Sequence, residues 1–152
     1  MTPRLVLLLC SALVSCTAPP ALKNFSSDGC SLFPDGNMRD SKLWCECCYQ
    51  HDLAYWQGGT QPDRRHADEQ LRSCVTAKTG DAALAQTMFV GVRSGGAPVF
   101  PTWYRWGYGW SFGRGYAPLN TAEQALVDEK LARIPTTRHP FSCEATQPRG
   151  VR

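Results

Sequence analysis

A chain of 152 residues leaves room for one domain with at most an appendage. Its formal net charge of +3 is scattered, with no block of like sign, which excludes the basic footprint that nucleic-acid binding needs. Eight cysteines are many for this length and point either to an oxidising compartment or to a metal site.

The N-terminus favours the first. Arg4 supplies a positive start, and Leu5 to Val14 is an apolar run broken only by Ser11. That run is too short for a stable bilayer anchor and fits an export signal over residues 1–15. Leu13-Val14-Ser15-Cys16 resembles a bacterial lipobox, whose cysteine is lipidated and becomes the first residue. An ordinary cleaved signal with a chance cysteine competes with this, but Ser15-Cys16 fits the lipobox better than a small-x-small cleavage site. The expected location is the bacterial cell envelope, with the chain lipid-anchored through Cys16, periplasmic or on the outer membrane. Cys30, Cys45, Cys47, Cys48, Cys74 and Cys143 then remain, and an even six in an exported chain reads as three disulfides with fifteen possible connectivities.

Residues 16–27, with Pro19, Pro20 and Ser26-Ser27, read as a lipidated tether, and residues 28–152 as a single domain. The domain opens on a loop, Asp28-Gly29-Cys30-Ser31-Leu32-Phe33-Pro34-Asp35-Gly36. It can be a plain surface turn or a calcium loop, since hard cations take carboxylate and carbonyl oxygens. A first helix is expected over 41–57, capped by Asp40 or Ser41 and stopped by Gly58-Gly59. Within it lies Cys47-Cys48-Tyr49-Gln50-His51-Asp52-Leu53-Ala54-Tyr55. At helical spacing Cys47, His51 and Tyr55 share one stripe, with Cys48 and Asp52 beside it, so His51 and Asp52 project together as a base and a metal ligand.

The second helix starts at Thr60, with Asp63 completing a capping box and Pro62 in the first turn, and ends at Gly80. Ala67, Leu71, Cys74 and Val75 form its inner stripe, while Arg64, Arg65 and Arg72 read as a solvated face. The short link predicts that the two helices pack antiparallel. A third helix is expected over 82–93. Residues 97–118 interleave aromatic residues with glycines and keep no period, which predicts an ordered loop with room for a short hairpin. Its aromatics can cover a core or offer a membrane-facing or acyl-binding surface, with Arg105 and Arg114 set to meet anionic lipid. Asn120 or Thr121 caps a last helix, Gln124 completing a box after Thr121, with Leu126, Val127, Leu131 and Ile134 as its apolar stripe and Pro135 at its end. The tail carries Cys143. His66 and His139 look bland, one on an exposed helix face and one in the tail.

The run from Cys47 to Tyr55 resembles the active-site helix of secreted phospholipase A2 enzymes, Cys-Cys-x-x-His-Asp-x-x-Tyr. The loop at Asp28-Gly29-Cys30 is similar to the Asp-x-Cys calcium loop of their bacterial and fungal members, and lacks the longer glycine-rich loop of the animal enzymes. The resemblance covers roughly residues 28–75. It implies a mainly α fold in which two antiparallel, disulfide-linked helices carry the site, with further helices and an aromatic, glycine-rich loop. It implies calcium-dependent hydrolysis of a phospholipid acyl ester with His51 as general base, Asp68 on the second helix bonding the imidazole, and Tyr55 tying Asp68 in place. Asp52, Asp28 and the Gly29 carbonyl would hold Ca2+. It further implies the bridges Cys47–Cys74 and Cys30–Cys48, which leave Cys45 for Cys143. The position three after the histidine and the one before the aspartate, often bridged in the family, are here Ala54 and Ala67, a pair lost together. Phe33 and part of the 103–116 loop are the expected walls of an acyl cleft.

Two other classes compete. Cys45, Cys48 and His51 could chelate zinc on one helical face. A catalytically silent, lipid-anchored binding module could use the same scaffold.

Overall fold

The computed structural model describes residues 21–134 and Cys143; the expected signal peptide, Cys16, Pro135 and His139 lie outside the described residues. The chain folds mainly as helix, in the order α1 (Cys45–Gln57), α2 (Gln61–Thr79), α3 (Ala82–Gly95) and α4 (Thr121–Ala132), with no strand among the described residues. None of these helices is long and apolar enough to cross a membrane.

Local chemistry sets the boundaries. Helix α1 begins four residues later than expected. Residues 41–44 form turns because Asp40 spends its side chain on the Lys42 amide at 2.9 Å, while Trp44 is tied back to the preceding loop. Its amide donates to the Asp35 carbonyl at 3.0 Å and its indole to the Pro34 carbonyl at 2.6 Å. Helix α2 starts on the expected Thr60–Asp63 capping box and stops at Gly80 in the left-handed conformation. Asp81 caps α3 through the Ala83 and Leu84 amides. Helix α4 is capped one residue earlier than the Thr121 box: Asn120 pairs reciprocally with Glu123, and Gln124 turns instead to Asp128.

The pairings between α1 and α2 run in opposite directions along the two helices. Cys47 bonds Cys74, His51 meets Asp68, and Tyr55 meets Arg64, which makes the pair antiparallel. The Cα atoms of Cys47 and Cys74 are 5.7 Å apart, inside the range a bridge requires. Cys30–Cys48 pins the entry loop to α1, and Cys45–Cys143 returns the tail to its start. Around these bridges Trp44, Leu71, Val75, Ala85 and Met88 close one core cluster. The expected inner stripe of α2 is therefore present, with Ala67, Leu71 and Val75 buried.

Residues 97–118 form an ordered loop without a hairpin, and the loop caps α1. The last carbonyls of a helix lack partners within it. Here the Gly107 amide reaches the Tyr55 carbonyl at 2.6 Å and the Gly109 amide the Trp56 carbonyl at 3.1 Å. The Trp110 indole takes the Gln57 carbonyl at 2.7 Å, and the Trp106 indole the Gly59 carbonyl at 2.9 Å. Gly109 must be glycine, because a Cβ there would lie 2.6 Å from both the Trp56 ring and its carbonyl. Trp106 and Trp110 are thus core residues, whereas Trp103 and Phe112 are exposed. The loop thus covers core with Trp106 and Trp110 and leaves Trp103 and Phe112 in solvent.

Three expectations are corrected. Arg105 is buried and bonds the carbonyls of Gly107 and Trp110, and Arg114 pairs with Glu123 at 2.8 Å, so neither is a free cation on the surface. On α4 only Val127 is buried, against Leu22, Trp56 and Trp110, while Leu131 is exposed. Residues 22–27, expected in the tether, pack onto the body: Leu22 and Ser27 are buried and the Lys23 amide bonds the Gly109 carbonyl.

Candidate active site

Antiparallel packing turns the inner stripes of α1 and α2 toward each other, and His51, Tyr55 and Asp68 meet there. His51 Nε2 lies 2.8 Å from Asp68 Oδ1, and the Tyr55 hydroxyl donates to the same oxygen at 2.7 Å. Asp68 is fully buried. Burial alone would raise its carboxyl, but hydrogen bonds from His51, Arg93 and Tyr55 outweigh that and hold it below its ordinary value. An ionised Asp68 can only accept, so Nε2 carries the imidazole proton and Nδ1 is left with a lone pair. Nδ1 has no protein partner among the described residues, and His51 lines a cavity. Burial, and then the charge of Asp68, push the Tyr55 phenol up, so it stays a donor.

Two arginines complete the cluster, and sequence reasoning placed neither there. Arg93, from the end of α3, donates to Asp68 Oδ2 at 2.7 Å. Arg64, expected on a solvated face, is only 2 % exposed. It donates to the Tyr55 hydroxyl at 2.9 Å, the Tyr116 hydroxyl at 2.6 Å, and the Val92 and Arg93 carbonyls at 2.8 and 2.9 Å. A cation at a helix C-terminus is favourable, and here it joins α1, α2, α3 and the aromatic loop. Arg65 is exposed beside Glu69 as expected, and Arg72 lies over the Phe89 ring.

Gly96 makes room for Tyr55. A Cβ there would stand 2.7 Å from the Tyr55 ring, 2.9 Å from its hydroxyl and 2.8 Å from the Val92 carbonyl. Gly96→Ala is expected to destabilise the fold by about 1–3 kcal/mol through overpacking. It should also depress any turnover by pushing the hydroxyl off Asp68. An unchanged melting temperature would show that Tyr55 is not held at this spot.

Asp52 follows His51 on α1 and is buried, its Oδ2 accepting from Ser27 Oγ at 2.6 Å. Ser27 Oγ in turn accepts from the Gly29 amide at 3.1 Å, so one serine links Asp52 to the entry loop. The serine lies in the stretch expected as tether, and only its place two residues before Gly29 points to it. Asp28 accepts from Ser31 at 2.7 Å and from the Trp103 indole at 3.3 Å. Gly29 has φ of 80°, and a Cβ there would collide with Asp35, whose carboxylate takes the Cys30 amide. Ser27 therefore joins Asp52 to the Gly29 amide, while Asp28 shares the larger cavity with Asp52 and Gly29 the smaller one.

Among the described residues neither Asp52 nor Asp28 has a basic partner, and no group of three His, Cys, Asp or Glu side chains could hold a metal. Burial pushes the Asp52 carboxyl up to about 7, against the opposing Ser27 hydrogen bond and aided by the charges of Asp28 and Asp35. A raised acid favours the folded state only while protonated there. Metal-free protein should therefore lose stability as pH rises from about 4 to about 7, with the loss complete above that window. Asp52→Asn keeps an acceptor for Ser27 and should flatten that slope; urea melts in chelator across the window would measure it. An identical slope in both proteins would show that Asp52 is not the group responsible.

Two cavities meet at these residues. One, of about 350 Å³, is largely apolar: His51, Asp52 and Tyr55 face Phe33, Leu71 and Met88 there. The other, of about 640 Å³, is lined by Asp28 and Asp52 together with Trp103, Tyr108 and Phe112. Tyr104 borders both, so Phe33 and part of the aromatic loop stand where an acyl cleft was expected. Cys45 and Cys48 are each taken up in a disulfide, which removes the thiolates that a zinc site with His51 would require. No protein family, curated protein or solved structure matches the chain.

Proposed function

We propose that this chain is a phospholipase A2-like hydrolase of phospholipid acyl esters, exported and held at the bacterial envelope by lipid on Cys16. The observation that carries the reading is the 2.8 Å contact of His51 Nε2 with a buried, ionised Asp68, on a histidine whose other face lines an apolar cavity. A merely structural histidine has no need of both. The disulfides are compatible with export.

The geometry supports ester hydrolysis by an activated water. His51 Nδ1 takes a proton from water as the water oxygen attacks the ester carbonyl. The imidazolium so formed is stabilised by Asp68, which keeps its own proton-free state because Arg93 and Tyr55 already bond it. The tetrahedral species collapses, expelling the glycerol oxygen, and the imidazolium returns the proton to it. The products are a fatty acid and a lysophospholipid. The apolar cavity excludes water from the acyl chain and orients the carbonyl.

The donor set beside His51 suits Ca2+. Asp52 is a buried carboxylate without a cationic partner among the described residues, next to Asp28 and the Gly29 backbone, which are hard oxygen donors. With fewer than three acidic or imidazole groups present, backbone carbonyls would supply much of the shell. When bound, calcium supplies Lewis-acid stabilisation of the developing oxyanion.

The test is fatty-acid release from mixed phospholipid vesicles, with calcium or with chelator, by the wild type and by His51→Ala. Calcium-dependent release lost in His51→Ala supports the reading. No release under any condition from folded protein would leave a silent, lipid-anchored binding module.

A further inference from the structure

The larger cavity contains a cation that the ester-cleaving chemistry does not use. Arg105 is 6 % exposed and lines this cavity. Its Nη1 donates to the Gly107 carbonyl at 2.7 Å and the Trp106 carbonyl at 3.3 Å, and its Nη2 to the Trp110 carbonyl at 2.7 Å. No carboxylate pairs with it among the described residues. A guanidinium has five N–H donors in a fixed fork. All three bonds use Nη1 or Nη2, and among the described residues none uses the Nε–H, which leaves the Nε edge free. Besides these carbonyl dipoles the guanidinium meets, among the described residues, only the face of the Phe112 ring, 5.5 Å away, and a buried cation without an anion is costly.

Lys23 lines the same cavity. Its backbone is fixed on both sides, the amide donating to the Gly109 carbonyl at 2.8 Å and the carbonyl accepting from the Trp56 indole at 2.9 Å. Its ammonium has no ion pair among the described residues. Thr102 stands in the same wall, and its hydroxyl is buried with no hydrogen-bond partner among the described residues. Native structures rarely leave such a group unexplained.

We propose that Arg105 and Lys23 form a phosphate-binding subsite in this cavity, with the free edge of Arg105 gripping two phosphate oxygens. The identification of that phosphate as the diester of a phospholipid rests on the function proposed above; the anion site itself does not. The cavity also contains Asp28 and Asp52, which repel an anion. They confine the phosphate to the Arg105–Lys23 end and make its affinity depend on neutralising those carboxylates. An ester whose phosphate is held there has its acyl carbonyl directed past Asp52, where the two cavities join.

The test reads binding without turnover, in His51→Ala protein at pH 6 with calcium present. Dimethyl phosphate and inorganic phosphate are titrated separately, and the Trp103 indole N–H resonance is followed by NMR. Dimethyl phosphate should saturate that resonance, and Lys23→Ala should weaken it by about tenfold or more, the loss of one charge-assisted bond. Arg105→Lys, which keeps the charge but loses the fork, should weaken it further. Lys23 is exposed, so its variant tests the site even where Arg105→Lys disturbs the loop. Binding of inorganic phosphate alone would keep the anion site and detach it from lipid. Saturation unchanged in Lys23→Ala, or no response to either probe, would overturn the proposal. Phosphate binding without any esterase activity in the wild type would instead remove the hydrolase and leave this subsite standing.

Discussion

His51→Ala should lower calcium-dependent fatty-acid release by about 10²–10⁴-fold while the protein stays folded, the loss expected when a positioned general base is removed. Folding should survive because, with the imidazole gone, the buried Asp68 keeps its hydrogen bonds from Tyr55 and Arg93. The disulfides on either side of it, at Cys47 and Cys48, remain. Asp68→Asn is the sharper companion. An amide can donate to Nε2, which would move the imidazole proton to Nδ1 and remove the lone pair that must meet water. Its rate loss should approach that of His51→Ala, and the two changes together should cost little more than either alone, because they disable one unit. Rates and circular-dichroism melts on the same preparations decide it. A His51→Ala protein as active as the wild type would end the general-base assignment, and additive losses would mean that Asp68 acts elsewhere.

Spacing made half of this site legible and hid the other half for identifiable reasons. A helical period puts Cys47, His51 and Tyr55 on one stripe, and that stripe faces α2 in the fold. The boundary residues Gly58, Thr60, Asp63 and Gly80 carried the α1–α2 link and the extent of α2. The pairing of both helices through Cys47–Cys74 agrees with what the phospholipase A2 resemblance implied. Helix α1 started late because Asp40 capped a turn and Trp44 was bound to the loop, a tertiary tie with no local signature. The aromatic loop has no period because its job is irregular: it delivers single amides and indoles to the end of α1. Arg64 is buried where a solvated face is expected. It lies four before Asp68, seven before Leu71 and eleven before Val75, which puts it on the buried stripe, but an arginine there reads as surface unless several acceptors are known to converge on it.

Replacing Arg64 should therefore be among the most damaging single changes to stability, and replacing its neighbour among the least. The Arg64 side chain is 3 % exposed and stands 3.9 Å from Asp68 Oδ2 as well as bonding two hydroxyls and two carbonyls. Arg64→Met matches its length without its donors. It takes a donor from the half-buried Val92 and Arg93 carbonyls, leaving Val92 only the Gly96 amide, and removes a cation 3.9 Å from Asp68, whose charge then rests on His51, Tyr55 and Arg93. Breaking a buried, hydrogen-bonded cation site of this kind costs about 3–5 kcal/mol. Arg65→Met touches only an exposed pair with Glu69 and should stay within about 0.5 kcal/mol of the wild type. The pH dependence adds a second signature. Asp68 is held below its ordinary 3.8, so its contribution is fully present above that value and is lost as pH falls through the lower folded-state value. Arg64→Met weakens the hold, so its acid unfolding should begin at higher pH than that of Arg65→Met. Urea melts of both variants at neutral and acidic pH measure both effects. Equal stabilities for the two would mean that Arg64 is not buried in the cluster, and the coupling of the aromatic loop to Asp68 through Tyr116 would fall with it.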